Sequence, residues 1–415
     1  MKFFRWFYPG IGIKRWVVLA AFGLGMMVIV GLSAVKTISQ HSVLLASSAT
    51  ALLIFGIFLV YTALKNIVRI FVRALMPGPP EDLANIVYQS RKRDFLMRGP
   101  RVVVIGGGTG LSVLLSGIKA YTNNITAIVT VTDTGGSSGR LRDELDILPP
   151  GDIRNCLVAL ADAEPLIRDL FQYRFVEGEG LKGHSFGNLF ITALSMVTGD
   201  FEKAIKESSK VLAIRGRVLP STLDKVTLVG EFTDGTVAEG ETKITDVRKP
   251  LKRISLRPAN CRATDEALEA IQNADLIIMG PGSLYTSILP NLLLKDIANA
   301  ILESDAYKIF IINAMTQPGE TESYSAYDHL RVLISHTDPG IVDACFVNTQ
   351  MIPKAVLDRY RETNSYPVDI DLAKIREQGY EVIGTEILKI DTQVRHDPSR
   401  LAKAIVDQYF EMLKR

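Results

Sequence analysis

Two long apolar runs without charged residues open the chain. Trp16 to Val35 and Val43 to Leu64 each continue for about 20 residues, which is long enough for a helix to cross a bilayer. A signal peptide would have a shorter apolar core and no second run directly after it. A buried hairpin in a soluble core is the alternative, but the length of the runs and their lack of polar breaks disfavour it. The pattern predicts a two-helix transmembrane hairpin over residues 1–75.

The charges around the runs predict an orientation. The turn from Lys36 to Ser42 carries one lysine, whereas the outer flanks are rich in basic residues, namely Lys2, Arg5, Lys14, Arg15, Lys65, Arg69 and Arg73. By the positive-inside rule, both ends of the hairpin are predicted to lie on the cytoplasmic side of the plasma membrane. Residues 76–100 are predicted to be a polar, proline-rich linker. Its basic cluster Arg91 to Arg93 is interpreted as a solvated face, with contact to anionic lipid as the alternative.

From Arg101 onward, short β-branched runs alternate with helical patterns. The runs Val102 to Ile105, Ile125 to Val131, Asp275 to Met279 and Lys308 to Ile312 are typical of strands that are buried on both faces. A β-hairpin is predicted between Lys225 and Ile244. The pattern predicts one α/β domain over residues 101–415, with a Rossmann-like, doubly wound and mainly parallel sheet.

The first predicted strand runs into a glycine-rich loop. A loop of this kind opens a helix whose free backbone NH groups favour a phosphate, so its ligand-binding candidates are Gly107, Gly108, Thr109 and Gly110. The dinucleotide fingerprint would need a glycine at Leu111, and a Walker lysine is also missing. The loop therefore indicates a phosphate-bearing ligand but disfavours an ordinary NAD enzyme or ATPase.

A second loop of the same type follows the second predicted strand. Asp133 is suited to accept hydrogen bonds from ribose hydroxyls or to hold a metal such as Mg²⁺. The loop beyond it offers amide, hydroxyl and guanidinium donors for phosphate, with Gly136, Ser137, Ser138 and Arg140 as candidates. The alternative is a tight glycine turn with solvated arginines.

Further polar groups stand at predicted helix starts and strand ends. Asp133, Asp152 and His184 are candidate catalytic residues, although a lone histidine is more often structural. The remaining ligand-binding candidates are Asn188, Gly282, Ser283, Thr316 and Gln317. Because the carboxyl ends of parallel strands meet at one edge of a sheet, the loops that follow the four predicted strands are expected to converge on one crevice.

Composition narrows the class of protein. The formal net charge is +2, so a nucleic-acid partner is disfavoured. The three cysteines are far apart and include no CxxC pair, which indicates neither a disulfide framework nor a zinc cluster. A reducing compartment fits best.

Several strings resemble one known family. GGGTGLSVLL, TDTGGSSGRLRDEL, PPGDIRN, GHSFGNL, GPGSLYTSILPNLL and NAMTQPGET are together similar to the gluconeogenesis-factor (YvcK-like) family of the 2-phospho-L-lactate transferase (CofD-like) superfamily. The resemblance implies a binding protein for UDP-sugars of the UDP-N-acetylglucosamine type, which links carbon metabolism to cell-wall synthesis and cell shape. It also implies that Tyr360 and Arg395 contact the ligand, and it suggests a homo-oligomer and an unidentified regulatory protein partner.

The transferase branch of this superfamily supplies the alternative function. That branch uses a metal and a nucleotide-activated donor, and Asp133 and Asp152 are the carboxylates that would hold the metal. The string TDTGGSSG departs from the acid-rich form of the branch, which favours a sensor over an enzyme. An NAD-binding oxidoreductase is a third hypothesis, which the broken fingerprint disfavours.

Overall fold

The computed structural model describes residues 13–37, 43–75, 91, 95–391 and 393–414. These residues belong to two compact units that divide after Arg91. Most of the predicted linker, residues 76–90 and 92–94, lies outside the described residues, as do Lys2 and Arg5 of the predicted basic flank.

The N-terminal unit consists of two apolar helices, α1 (Ile13–Thr37) and α2 (Val43–Leu75). Both are long and apolar enough to cross a membrane. They approach each other closely at two glycines, because a Cβ on Gly23 would lie 2.9 Å from the carbonyl oxygen of Gly56. Small residues at such a crossing allow two helix backbones to pack tightly. The prediction of a hairpin of two long apolar helices is confirmed.

The second unit is built on a seven-stranded sheet, in which every neighbouring pair is parallel. Its strands are β1 (Val102–Gly106), β2 (Ile125–Val129), β3 (Arg217–Pro220), β7 (Leu276–Met279), β8 (Tyr307–Ile311), β9 (Ala344–Asn348) and β10 (Glu381–Thr385). Two smaller antiparallel sheets complete the set, one formed by β4 (Thr227–Phe232), β5 (Val237–Glu239) and β6 (Leu251–Arg257), the other by β11 (Leu388–Ile390) and β12 (Val394–His396).

Helices connect the strands and cover the sheet. They are α3 (Gly108–Ile118), α4 (Gly136–Leu145), α5 (Gly151–Leu160), α6 (Pro165–Gln172), α7 (Phe186–Thr198), α8 (Phe201–Val211), α9 (Glu241–Val247), α10 (Asp265–Gln272), α11 (Leu289–Leu292), α12 (Lys295–Glu303), α13 (Ala326–His336), α14 (Lys354–Arg361), α15 (Leu372–Glu377) and α16 (Pro398–Met412). A π-helix (Leu284–Ile288) precedes α11, and a 3₁₀ turn (Pro339–Ile341) precedes β9.

The strand order is β10-β9-β8-β7-β1-β2-β3, so the chain winds outward from β1 in one direction and from β7 in the other. β1, β2, β7 and β8 are buried along their whole length, as expected for strands covered by helices on both faces. In such a sheet the direction of winding reverses between two adjacent strands, and ligands bind in the crevice outside their carboxyl ends. Here that position lies between β1 and β7.

The predicted α/β fold and its four strands are confirmed, with two corrections to local detail. The second strand ends at Val129 rather than Val131, so Asp133 lies in the connection to α4. The predicted hairpin between Lys225 and Ile244 is present as β4 and β5, but the prediction is wrong for its last four residues. They begin α9, because Gly240 takes the positive φ of 95° and turns the chain into a helix.

Candidate functional site

A cavity of about 620 Å³ lies at the carboxyl edge of the sheet, beside the reversal between β1 and β7. Its volume falls within the range of small-molecule and cofactor sites. Three loops that follow sheet strands line it, together with Glu241 and two C-terminal segments. Its lining includes Gly107 to Gly110, Pro281 to Ser283, Asn313 to Pro318, Tyr360 and Val394 to His396.

The glycine loop after β1 forms one wall of the cavity and needs its glycines for close packing. A Cβ on Gly110 would lie 2.5 Å from the carbonyl oxygen of Pro281. A Cβ on Gly107 would lie 2.6 Å from a carboxylate oxygen of Asp152. Gly107 is also the N-cap of α3, and no side chain caps the free amides at the start of this helix. The amide-rich start of α3 therefore borders the cavity, where it can donate to an anionic group.

The loops after β7 and β8 are tied to each other by side-chain amides. Asn313 donates from Nδ2 to the carbonyl of Gly282 at 2.8 Å, and Gln317 donates from Nε2 to Ser283 Oγ at 2.7 Å. Thr316 is held separately, since its carbonyl accepts from Ser365 Oγ at 2.6 Å. These bonds hold in place the part of the cavity wall that the loops after β7 and β8 form.

The C-terminal segments contribute an aromatic, a cationic and an imidazole side chain. The hydroxyl of Tyr360 accepts the backbone NH of Val394 at 2.7 Å, which joins α14 to β12. Arg395 is exposed and makes no side-chain hydrogen bond or ion pair with any other described residue. Burial lowers the pKa of His396 to about 4, and its Nε2 has no hydrogen-bond partner within the described part of the chain. A free guanidinium and a neutral imidazole are therefore available to a ligand.

The loop after β2 is hydrogen-bonded to the segment that starts α7, and its residues are not among the described lining of the cavity. Ser137 Oγ accepts from Asn188 Nδ2 at 3.0 Å and lies 3.0 Å from His184 Nδ1. When the imidazole is neutral and unprotonated at Nδ1, the Ser137 hydroxyl donates to this nitrogen. Burial, and secondarily Arg140, lower the pKa of His184, which agrees with a neutral imidazole that accepts at Nδ1. All three side chains are buried, and their hydrogen bonds connect α4 to α7.

Four carboxyl groups gather beneath and beside the cavity. Burial, followed by the charge of Asp133, raises the pKa of Asp152 to about 7. Burial also raises the pKa of Glu320 to about 7. Burial, followed by the charges of Asp133, Asp152 and Glu320, raises the pKa of Glu241 to about 9. Among the described residues that line the cavity, Glu241 is the acidic one.

Asp133 and Asp152, the carboxylates that a magnesium ion would use, are both hydrogen-bonded to backbone amides. Asp133 Oδ1 accepts the amide of Gly135 at 2.7 Å, and Asp152 accepts the amide of Gly108. Within residues 13–37, 43–75, 95–391 and 393–414, no three His, Cys, Asp or Glu side chains are arranged to hold a metal ion. Metal binding by Asp133 stays a prediction, and no chemistry is assigned to a metal here.

The structure brings together most of the predicted ligand-binding residues. Those lining the cavity are Gly107, Gly108, Thr109, Gly110, Gly282, Ser283, Thr316, Gln317, Tyr360 and Arg395. Those outside its described lining are Asp133, Gly136, Ser137, Ser138, Arg140 and Asn188, and the catalytic candidates Asp152 and His184 also lie outside it. Three of the four predicted loops thus share one crevice. The fourth, after β2, contributes none of the described lining residues, although its Asp133 is close enough to the lining residue Glu241 to raise the pKa of that carboxyl.

Two of the titratable lining residues, Glu241 and His396, were not predicted from the sequence. Glu241 is held at the cavity because the neighbouring amide of Thr242 donates to Thr134 in the connection after β2, and no local motif marks it. His396 stands next to Arg395, and that adjacency was the available signal. Both positions depend on tertiary folding of segments that lie outside the central α/β pattern.

Comparison with known proteins agrees with this architecture. The family model described as 2-phospho-L-lactate transferase CofD matches residues 102–388. A protein named putative gluconeogenesis factor from Nostoc sp. is 44% identical over 98% of this chain and 93% of its own length. A protein named gluconeogenesis factor from Bacillus subtilis is 49% identical over 74% of this chain and 98% of its own length. The Nostoc alignment thus includes the N-terminal helices.

A solved structure confirms the fold of the second unit. The crystal structure of a member of the UPF0052 family from Bacillus halodurans has a TM-score of 0.73 and 49% sequence identity. It covers 75% of this chain and 99% of that chain.

Proposed function

The chain belongs to the 2-phospho-L-lactate transferase CofD family, and from that premise we propose that it is a UDP-sugar-binding regulatory protein that connects carbon metabolism to cell-wall synthesis and cell shape. The observation that carries the proposal is the cavity at the sheet reversal, where the glycine loop after β1 meets Tyr360 and Arg395. The relatives named gluconeogenesis factor support a role in carbon metabolism.

The chemistry of the cavity suits a nucleotide diphosphate sugar. The start of α3 and the unpaired guanidinium of Arg395 offer donors to a diphosphate. Tyr360, fixed through its hydroxyl, offers a ring for contact with a base. Uncharged polar side chains, including those of Asn313, Gln317 and Ser283, leave hydrogen-bonding capacity for ribose and sugar hydroxyls.

Ligand class is tested by thermal shift on the full chain in detergent. The panel contains UDP-N-acetylglucosamine, UDP-glucose, GDP, NAD and a deazaflavin, each with magnesium or with a chelator. We expect stabilisation by UDP-sugars, because a ligand that binds the native state raises its melting temperature. Absence of any shift with UDP-sugars would contradict the proposal. Metal-dependent product formation with a deazaflavin acceptor would instead favour the transferase, for which the family assignment is the supporting observation.

Two substitutions test the assignment of residues. Arg395→Ala removes an exposed guanidinium, so we expect at least a tenfold loss in UDP-N-acetylglucosamine affinity, of the order of one charge-assisted hydrogen bond, and an unchanged melting temperature. Tyr360→Ala should also lose affinity. The matched control is Arg361→Ala, which removes an exposed arginine on α14 that pairs with Asp358 and lies outside the described lining. Equal affinity in the Arg395 and Arg361 variants would remove Arg395 from the site.

We further propose that α1 and α2 anchor the protein in the plasma membrane, with both ends cytoplasmic. Their length and apolar composition support this. The full chain should remain with membranes after carbonate extraction, whereas a chain that begins at residue 76 should be released. A full-length chain found in the soluble fraction would contradict the anchor. An oligomeric assembly and a regulatory protein partner stay predictions from the family resemblance.

A further inference from the structure

Glu241 occupies a position that the fold fixes from two sides. The amide of Thr242 donates to Thr134 Oγ1 at 3.2 Å, which ties the start of α9 to the connection after β2. On the other side, a Cβ on Gly319 would lie 2.5 Å from the carbonyl oxygen of Thr245, so α9 also packs tightly on the loop after β8. Glu241, the first residue of α9, is thereby held at the cavity wall.

The three neighbouring carboxyl groups are already engaged with the loops around them. Asp133 accepts the amide of Gly135, and Asp152 accepts the amide of Gly108. Glu320 Oε1 accepts from Thr286 Oγ1 at 3.2 Å. These three acids bond to backbone amides or to a threonine beside the cavity, whereas Glu241 is itself one of the lining residues.

An unsatisfied buried oxygen adjoins Glu241. Glu320 is 6% exposed, and its Oε2 has no hydrogen-bond partner among the described residues. The charge of Glu320 is close enough to raise the pKa of Glu241, and Thr286 lies beside both carboxyl groups. A buried polar atom without a partner is costly, so the interior beside Glu241 has unused hydrogen-bonding capacity.

The wall of the cavity therefore has an acidic part and a cationic part, which different segments of the chain contribute. Arg395 suits the charged diphosphate of a nucleotide sugar, whereas carboxyl oxygens suit its uncharged, hydroxyl-bearing sugar. We propose that Glu241 is a specificity-determining residue, which distinguishes a nucleotide sugar from the bare nucleotide by hydrogen-bonding to the sugar. This inference rests on the proposed function.

The charge state of the group is compatible with an anionic ligand nearby. Burial and the carboxylates of Asp133, Asp152 and Glu320 raise the pKa of Glu241 to about 9, so its carboxyl is protonated at neutral pH. A neutral carboxylic acid does not repel a diphosphate, and it can both donate and accept a hydrogen bond. A glutamine at this position would keep both abilities.

The test is calorimetric titration of the full chain in detergent with UDP and with UDP-N-acetylglucosamine. Glu241→Ala should weaken UDP-N-acetylglucosamine binding at least tenfold while UDP binding changes less than threefold. Glu241→Gln should stay within threefold of wild type for both ligands. Glu231→Ala, which removes a partly exposed acid of β4 paired with Lys252, is the control and should leave both affinities unchanged.

The outcomes separate this inference from the proposal on which it rests. If the wild-type chain binds no UDP-sugar, both fail. If wild type binds but Glu241→Ala loses UDP and UDP-N-acetylglucosamine equally, or loses neither, the inference alone is overturned. It is also overturned if wild-type binding requires magnesium and Glu241→Gln abolishes it, because the carboxyl would then be a cation ligand. Melting curves of each variant identify a loss that comes from unfolding, and the glutamine variant is the one expected to fold as wild type.

Discussion

The two glycine-rich loops that follow β1 and β2 are similar in composition, yet the structure uses them differently. The loop after β1 packs against the loop after β7 and borders the cavity. In the loop after β2, Ser137 bonds to His184 and Asn188, and the described cavity lining does not include it. Position relative to the sheet reversal separates the two, since β7 is the neighbour of β1 and not of β2. A glycine-rich loop thus predicts a tight turn, whereas a ligand site also requires the correct pair of strands.

The largest expected effect comes from Gly110→Ala in the first loop. The added Cβ would lie 2.5 Å from the oxygen and 2.8 Å from the carbon of the Pro281 carbonyl, and backbone atoms cannot move aside cheaply. We expect a loss of about 3 kcal/mol in the free energy of unfolding, together with loss of UDP-N-acetylglucosamine binding. Denaturant unfolding in detergent measures the first quantity. A loss below about 1 kcal/mol would show that this contact between the two loops is not tight.

Ser137→Ala in the second loop should have the next largest effect, and on stability alone. Removal of the hydroxyl leaves Asn188 Nδ2 and His184 Nδ1 without their shared partner in a buried site. We expect a loss of about 2 kcal/mol, with the UDP-N-acetylglucosamine affinity unchanged. Ser116→Ala is the control, because that hydroxyl bonds locally to the carbonyl of Val113 within α3. Weakened binding at unchanged stability would instead assign Ser137 to the ligand site.

A smaller effect is expected for Gly136→Ala in the same loop. Gly136 has a φ of 48°, but a Cβ there would meet no atom within 4 Å. The cost is therefore that of a left-handed backbone alone, about 1 kcal/mol. Comparison with Gly110→Ala separates a glycine chosen for its φ from one chosen for close approach. Equal losses in the two variants would contradict that distinction.

The smallest effect concerns the pH dependence of Asp152, which accepts the amide of Gly108 in the first loop. Its pKa is raised to about 7 in the folded chain, above the value of 3.8 for an unperturbed aspartate. The unfolded chain therefore releases this proton first, and the contribution of Asp152 to stability falls as pH rises from about 4 to about 7. Asp152→Asn should remove this loss of stability. The buried NH₂ group of the asparagine should offset part of the gain.

Melting curves at different pH values measure this effect. We expect Asp152→Asn to gain about 2 °C relative to wild type between pH 5 and pH 8. A gain that grows as the pH falls would contradict the raised pKa, because the sign of the linkage would then be reversed.

The strands of the second unit were predictable because burial on both faces leaves a local record in the sequence. Val102 to Ile105 and Lys308 to Ile312 are continuous apolar or β-branched segments, apart from one buried lysine, and a buried strand is the element that fits such a segment. The strand order leaves no such record. The sequence therefore indicated several loops at one edge of a sheet without specifying that β7 inserts beside β1.

The residues that escaped prediction share a physical cause. Glu241 and His396 belong to small elements whose position depends on packing with distant segments, such as Thr134 against Thr242 and Tyr360 against Val394. Conversely, Ser137 and Arg140 stand in a phosphate-loop pattern, but a histidine and a backbone carbonyl use their side chains. Local chemistry identified the donors, and only tertiary contacts determine which of them remain available.

We propose that the first glycine loop, and not the second, borders the ligand. Hydrogen exchange of the full chain in detergent, with and without saturating UDP-N-acetylglucosamine, distinguishes the two loops. We expect slower exchange in peptides that cover 107–110, 281–283 and 313–317, and unchanged exchange in peptides that cover 135–142. Protection of 135–142 without protection of 107–110 would contradict it.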